Sequence, residues 1–320
     1  MLVNLYKSKS PTAVVSLPIL IAVMGLSIFL LPDSGLKNTF LWQDSFVDYI
    51  NQSPIIQYVF TVLIVYLTAI ELVRQVNVFD FYSKNTYLPG FFYGLSVFGF
   101  GHFGYVHELI AIFFIVYALG FLFRLSQQES AISSAFTSAL LLGTATVFQP
   151  LFVPLLILPW LALSVFRSFV WREWFVVILA AGIPWLHLFA VKYLVTGHVG
   201  LVYHKISFGE FEWTYQLSNM LLYGFTILLV LGAFWRYVLI ARTSLLVFKK
   251  RSRIVYNLFW LILISYFATF YLQEKLTILW AIPLMYIFSV FYLNMKSMLM
   301  ANLFVYLWIL LAFWSLYQNF

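Results

Sequence analysis

Residues 13–31 read AVVSLPILIAVMGLSIFLL, with Lys7 and Lys9 before them and Pro32 and Asp33 after. As an α-helix this run extends roughly 28 Å at ~1.5 Å per residue, close to the ~30 Å hydrocarbon thickness of a bilayer. No clean small-x-small cleavage pattern follows, so the run reads as a first membrane helix rather than a removed leader. The lysines before it place its start in the cytoplasm, because Lys and Arg are costly to carry across a membrane.

The same pattern recurs along the chain. Membrane helices are expected at 13–31, 55–74, 88–103, 107–124, 131–148, 150–167, 174–195, 217–239, 255–272, 276–293 and 299–317, about eleven spans. An odd number puts the N-terminus inside and the C-terminus outside. Threaded this way, Lys7, Lys9, Arg74, Lys84, Arg124, Arg167, Arg172, Arg236, Arg242, Lys249, Lys250, Arg251, Arg253 and Lys296 fall inside, and only Lys37, Lys192, Lys205 and Lys275 outside. That asymmetry is the topology signal of a multi-pass membrane protein with its N-terminus in the cytoplasm. The fold class is therefore an all-α polytopic transmembrane bundle. It reads as one integral membrane domain over 1–320: a seven-helix module over 1–195, an outside loop at 196–216 and a four-helix part over 217–320.

Composition agrees. The chain is 63% hydrophobic and 9% charged, with a mean hydropathy of +0.95. A soluble domain carries about a quarter charged residues, so lipid is the expected solvent and partner. The formal net charge of +7 sits in short loops between apolar spans, which accounts for it without nucleic acid. With no Cys in the chain, disulfides, thiolate metal sites and a Cys nucleophile are excluded.

Some spans are irregular. The third carries Gly90, Gly94, Gly99 and Gly101, which permit close helix approach or a break. The sixth carries Pro150, Pro154 and Pro159, and the seventh carries Pro184 one turn before His187. Broken spans persist where neighbours or a polar cavity satisfy the freed backbone. A hydrated pocket open to the outside is therefore expected, walled by spans three, four and seven and roofed by the two long outside loops, with His102, His107, Glu108 and His187 approaching it.

The candidate functional residues lie on that outer side. Asp44 and Asp48 in the first loop share one face if the segment is helical; they suit a general base or a divalent-cation ligand, or form the solvated face of an interfacial helix. The turn Gly101-His102-Phe103-Gly104-Tyr105-Val106-His107-Glu108 holds two imidazoles and a carboxylate. It suits phosphate binding or proton transfer, or a polar helix cap. Its spacing is no metal signature. His187 lies within a span, where ionisable groups are costly; the alternative is a neutral imidazole donating to a carbonyl freed by Pro184. Lys192, His204 and Lys205 lie among aromatics in and around the second outside loop, a composition suited to a lipid phosphate or a sugar, or to an interfacial amphipathic segment with nothing bound.

Two resemblances follow. Asn85-Thr86-Tyr87-Leu88-Pro89, the stretch Ala139 to Pro150, and Arg167-Ser168-Phe169-Val170-Trp171-Arg172-Glu173-Trp174 resemble a family of uncharacterised polytopic inner-membrane proteins of Bacteroidetes-type bacteria, over roughly the first 200 residues. The long acidic first loop and the closely linked spans three and four resemble the layout of GT-C-type glycosyltransferases that use polyprenyl-phosphate sugars. That second resemblance implies an outward-facing lipid-linked transferase. Asp44 or Asp48 would then be the base or cation ligand, His204, Lys205 and Lys192 would hold the donor phosphate, and His102, His107 and Glu108 would line the far wall. The chain lacks the tight Asp-Asp, Asp-Glu or Glu-x-Asp motif of that type. The competing expectation is a non-enzymatic subunit of a membrane export, secretion or envelope-assembly complex, followed by a small-molecule transporter.

Overall fold

The computed structural model describes residues 2–8, 10–30, 50–51, 53–82, 85–126, 131–197, 217–244, 246–270 and 277–318. Among the described residues there is no strand. The helices are α1 (Leu2–Lys7), α2 (Pro11–Gly25), α3 (Pro54–Val78), α4 (Leu88–Gly99), α5 (Val106–Arg124), α6 (Ile132–Phe148), α7 (Leu158–Phe166), α8 (Trp171–Thr196), α9 (Leu217–Thr243), α10 (Leu246–Phe270), α11 (Ala281–Leu293) and α12 (Met298–Gln318). Tighter 3-10 turns extend α2 (Leu26–Leu30) and precede α7 (Pro150–Ile157) and α11 (Thr277–Trp280).

Among the described residues, six helical stretches are long and apolar enough to cross a membrane: Pro11–Phe29, Pro54–Val78, Val106–Arg124, Trp171–Val195, Leu217–Thr243 and Met298–Gln318. Leu88–Gly99, Ile132–Phe148, Pro150–Phe166 and Ile278–Leu293 are apolar but shorter. Local chemistry sets several ends. Ser10 caps α2, its Oγ accepting from Ala13 N at 3.3 Å with Pro11 in the first turn. α3 closes through Phe81 N to the carbonyl of Val76 (3.0 Å), with Asp80 between them in a left-handed conformation (φ 46°).

Two short helices form the centre. Every residue of α4 is buried, as is nearly all of α11, and the two pack on each other. Around them stand α2, α3 and α12 against α4, and α9 and α10 against α11. The glycines of α4 act by close approach. A Cβ on Gly90 would lie 3.0 Å from the carbonyl oxygen of Ala69 and 3.2 Å from Leu17, so this glycine lets α2 and α3 close on α4. The helix stops at Gly99, short of the span expected to run to 103.

The remaining helices extend outward in series, with α5 on α3, α6 on α5 and α8 on α6. α6 and α8 run parallel, since Gly143 meets Ala181 and Thr146 meets Trp185. The segment between them must therefore carry the chain back. It does so as a 3-10 turn followed by α7, rather than as one kinked helix. A 3-10 turn rises ~2.0 Å per residue, which lengthens a segment otherwise too short.

Hydrogen bonds tie the ends of the bundle. At one end Val3 N donates to Asn302 Oδ1 (3.1 Å), Thr86 Oγ1 to the carbonyl of Tyr6 (2.9 Å) and Arg236 to the carbonyl of Asn294 (2.5 Å), while Arg167 pairs with Glu173 (2.9 Å). At the opposite end Gln57 Nε2 donates to the carbonyl of Gly104 (2.9 Å) and Tyr58 OH to that of Ala22 (3.0 Å).

Candidate functional site

The second end holds a buried polar centre. α4 terminates at Phe100 and Gly101, and Gly101 adopts a left-handed conformation (φ 71°) that a side chain would strain. This reversal leads into the turn His102–Gly104, which Gln57 holds through the carbonyl of Gly104 at 2.9 Å. Tyr105 then opens α5, and Glu108 stands in its first turn. Unpaired N–H groups at a helix start favour a negative charge there.

His102 and Glu108 are both buried, 3% and 4% exposed. His102 Nδ1 lies 3.1 Å from Glu108 Oε2. On the other oxygen, Gln149 Nε2 approaches Oε1 at 3.5 Å. His107 immediately precedes Glu108 in the same turn, and its Nε2 is buried without a hydrogen-bond partner among the described residues. Tyr105 covers the His102 ring, with centroids 5.2 Å apart. The arrangement is a desolvated carboxylate with an imidazole on one oxygen and an amide on the other. Chemically it can accept a proton, and the orphaned His107 nitrogen can bind a polar ligand group.

The turn expected to carry chemistry thus brings His102, His107 and Glu108 together. His187 is not with them. It lies exposed on α8 with Nδ1 2.9 Å from the carbonyl of Ile183. A carbonyl only accepts, so Nδ1 carries the proton. The acceptor is the carbonyl one turn back, whereas the one that Pro184 frees belongs to Ala180. Lys192 is half-buried further along α8. Asp44, Asp48, His204 and Lys205 lie outside the described residues.

Spans three, four and seven do not share a common wall among the described residues, and the two outside segments expected to roof the pocket lie almost wholly outside them. α6 stands between α5 and α8, because Gly143 lets the α6 and α8 backbones approach. A small crevice of about 10 Å3 lies elsewhere, between α4, α9, α11 and α12, lined in part by Phe92, Ser96, Tyr292 and Trp308. That is room for about one water. Among the described residues no three His, Asp or Glu side chains converge as a metal site.

Sequence reasoning missed Gln149 and Gln57. Each is a polar residue near the end of an apolar helix, which is the available signal, but their partners lie 41 and 47 positions away. Comparison with family models, curated proteins and solved structures finds no match to this chain.

Proposed function

We propose that this chain is an inner-membrane protein of about eleven spans with its basic end in the cytoplasm, and that its opposite end acts as an outward-facing transferase on a lipid-linked, polyprenyl-phosphate sugar. The observation that carries the reading is the buried His102–Glu108 pair with Gln149 and His107 beside it. The orientation rests on charge: among the described residues, every Lys and Arg except Lys192 lies near helix ends on the side of the Arg236–Asn294 and Arg167–Glu173 contacts. The span count rests on length. The 3-10 turn and α7 together extend roughly 29 Å, enough for one crossing.

In this mechanism Glu108 takes the proton of an acceptor hydroxyl. The acceptor oxygen bonds the sugar's anomeric carbon as the bond to the polyprenyl phosphate breaks, and the phosphate leaves with the electron pair. His102 holds the carboxylate, and His107 Nε2 meets the phosphate. Asp44 or Asp48 would supply a second carboxylate or hold a divalent cation, since they follow in sequence the 3-10 turn Leu26–Leu30, which packs against His102–Gly104.

The test compares cell-surface glycans and lipid-linked sugars in wild type with Glu108→Gln, Asp44→Ala and Asp48→Ala variants, each checked for insertion. Accumulated lipid-linked sugar and lost glycan are expected for Glu108→Gln. Profiles unchanged in all three variants refute the proposal.

A second reading, a non-enzymatic subunit of a membrane assembly, is favoured by α8. It is the least buried of the long apolar helices, and it presents the ionisable His187 on its exposed face. Stoichiometric co-purification of a partner protein in mild detergent, lost in His187→Leu, would support it over the transferase.

A further inference from the structure

The start of α10 divides its charges by direction. Arg251 is buried and points into the protein, donating to the carbonyl of Phe79 and to Ser126 Oγ (3.4 Å), with its guanidinium 5.3 Å from the Phe79 ring centre. It clips α10 to the turn that follows α3. On the other side of the helix, Lys249, Lys250 and Arg253 are exposed, and none forms an ion pair with a described residue. At 100° per residue these three share an arc of about 100°. α9 and α10 contain no Asp or Glu that could neutralise them, and Arg242 adds another exposed cation at the end of α9.

The same face continues in a graded order. Beyond Arg253 it presents Tyr256, then Trp260, then Ile264, all exposed. Phe234 of α9 stacks on Tyr256 with centroids 5.8 Å apart, which fixes that ring beside the bases. From Arg253 to Ile264 is 264 − 253 = 11 residues, or about 16 Å of helix, the depth of one leaflet's hydrocarbon. Cations, then amphipathic rings, then aliphatic surface is the complement of a phospholipid: phosphate, glycerol ester and acyl chain.

We infer that this face of α10, with the end of α9, lodges one anionic phospholipid of the adjacent leaflet. Lys249, Lys250 and Arg253 hold its phosphate, and Tyr256, Trp260 and Ile264 line its acyl chain. Arg251 is a positioning residue that holds the three bases outward. A zwitterionic lipid brings its own ammonium group and leaves the cluster unneutralised, so the site selects net negative charge.

The full chain in detergent, analysed by native mass spectrometry with added phosphatidylglycerol or phosphatidylcholine, tests this. Phosphatidylglycerol should be retained as a one-to-one adduct and phosphatidylcholine lost. In the triple variant Lys249→Gln, Lys250→Gln, Arg253→Gln the retention should fall on the order of a hundred-fold, from roughly five-fold per base near a lipid surface. Arg172→Gln, an exposed base at the start of α8, should bind as wild type does. Equal retention of the two lipids, or a triple variant that binds as Arg172→Gln does, overturns the inference. So does displacement of the lipid by millimolar inorganic phosphate, which would show a site for the ion alone. Should the triple variant fail to insert, Trp260→Ala, which removes the acyl-chain wall and keeps the charges, must weaken phosphatidylglycerol retention for the inference to stand.

Discussion

Replacing Gly143 by Ala should loosen α8 from the bundle. A Cβ at this position would stand 2.5 Å from the carbonyl oxygen of Ala181 and 3.1 Å from its carbonyl carbon and Cα. These are backbone atoms and cannot rotate aside. Reaching ordinary van der Waals contact requires a shift of about 1 Å between α6 and α8. That shift draws Trp185 Nε1 away from Thr146 Oγ1, which it now meets at 2.9 Å. Overpacking costs ~1–3 kcal/mol and the weakened hydrogen bond about 1 kcal/mol. The better helix propensity of Ala offsets about 1 kcal/mol. The net loss is roughly 1–3 kcal/mol, a five- to hundred-fold fall in the folded-to-unfolded ratio. Reversible unfolding in mixed micelles measures it. Gly182→Ala on α8 is the control, since nothing lies within 4 Å of its Cβ position; it should be neutral or stabilising by up to ~1 kcal/mol. A Gly143→Ala protein as stable as wild type, or a Gly182→Ala protein equally weakened, would refute the parallel close packing of these helices.

Gly99→Ala should cost ~1–3 kcal/mol, because its Cβ would run into Trp308, which is pinned by Nε1 donating to Thr226 Oγ1 at 2.9 Å; Trp308→Leu should restore part of the loss in a double-mutant cycle. Gln75→Leu removes the donor to Glu71 (2.9 Å) and to the carbonyl of Val116 (2.7 Å), and the acceptor of Tyr286 OH (3.1 Å). The stranded buried groups should lower stability by about 1–3 kcal/mol in the same unfolding assay. A single Cys replacing exposed Lys250, in a chain with no native Cys, should react with an impermeant maleimide only in opened cells; labelling of intact cells would reverse the proposed orientation. Ser252 is the poorer place for that probe, because it is buried.

The helices were legible because hydropathy and length are properties of contiguous residues. Each expected span has a helical segment in the structure, although α2 begins at Pro11 under the Ser10 cap, two residues before the expected run. Two features were not legible for physical reasons. Hydropathy registers that residues 150–157 are apolar but not which carbonyl each N–H reaches, so a 3-10 turn and an α-helix look alike. The glycines of the expected third span were readable as either a break or a close approach, and the structure uses both: Gly90 admits α2 and α3, while Gly101, just past the end of α4, turns the chain.

The polar centre shows where sequence reading stops. His102, His107 and Glu108 were visible together because one turn holds them within seven positions. The same reasoning grouped His187 with them, since all lie on the outer side of the threading. A threading assigns depth and side but not azimuth around the bundle, and azimuth separates them: α6 lies between α5 and α8. Gln149 is the converse. It is remote in sequence and invisible to spacing, yet the end of α6 sets its amide 3.5 Å from Glu108. The strip of α6 that holds α8 away from the centre is therefore the element that completes it. This gives the Gly143 contact a second consequence. A substitution there moves α6 as well as α8, so Gly143→Ala should disturb the Glu108 centre from about two helical turns away. Gly182→Ala, on the open face of α8, should leave it untouched.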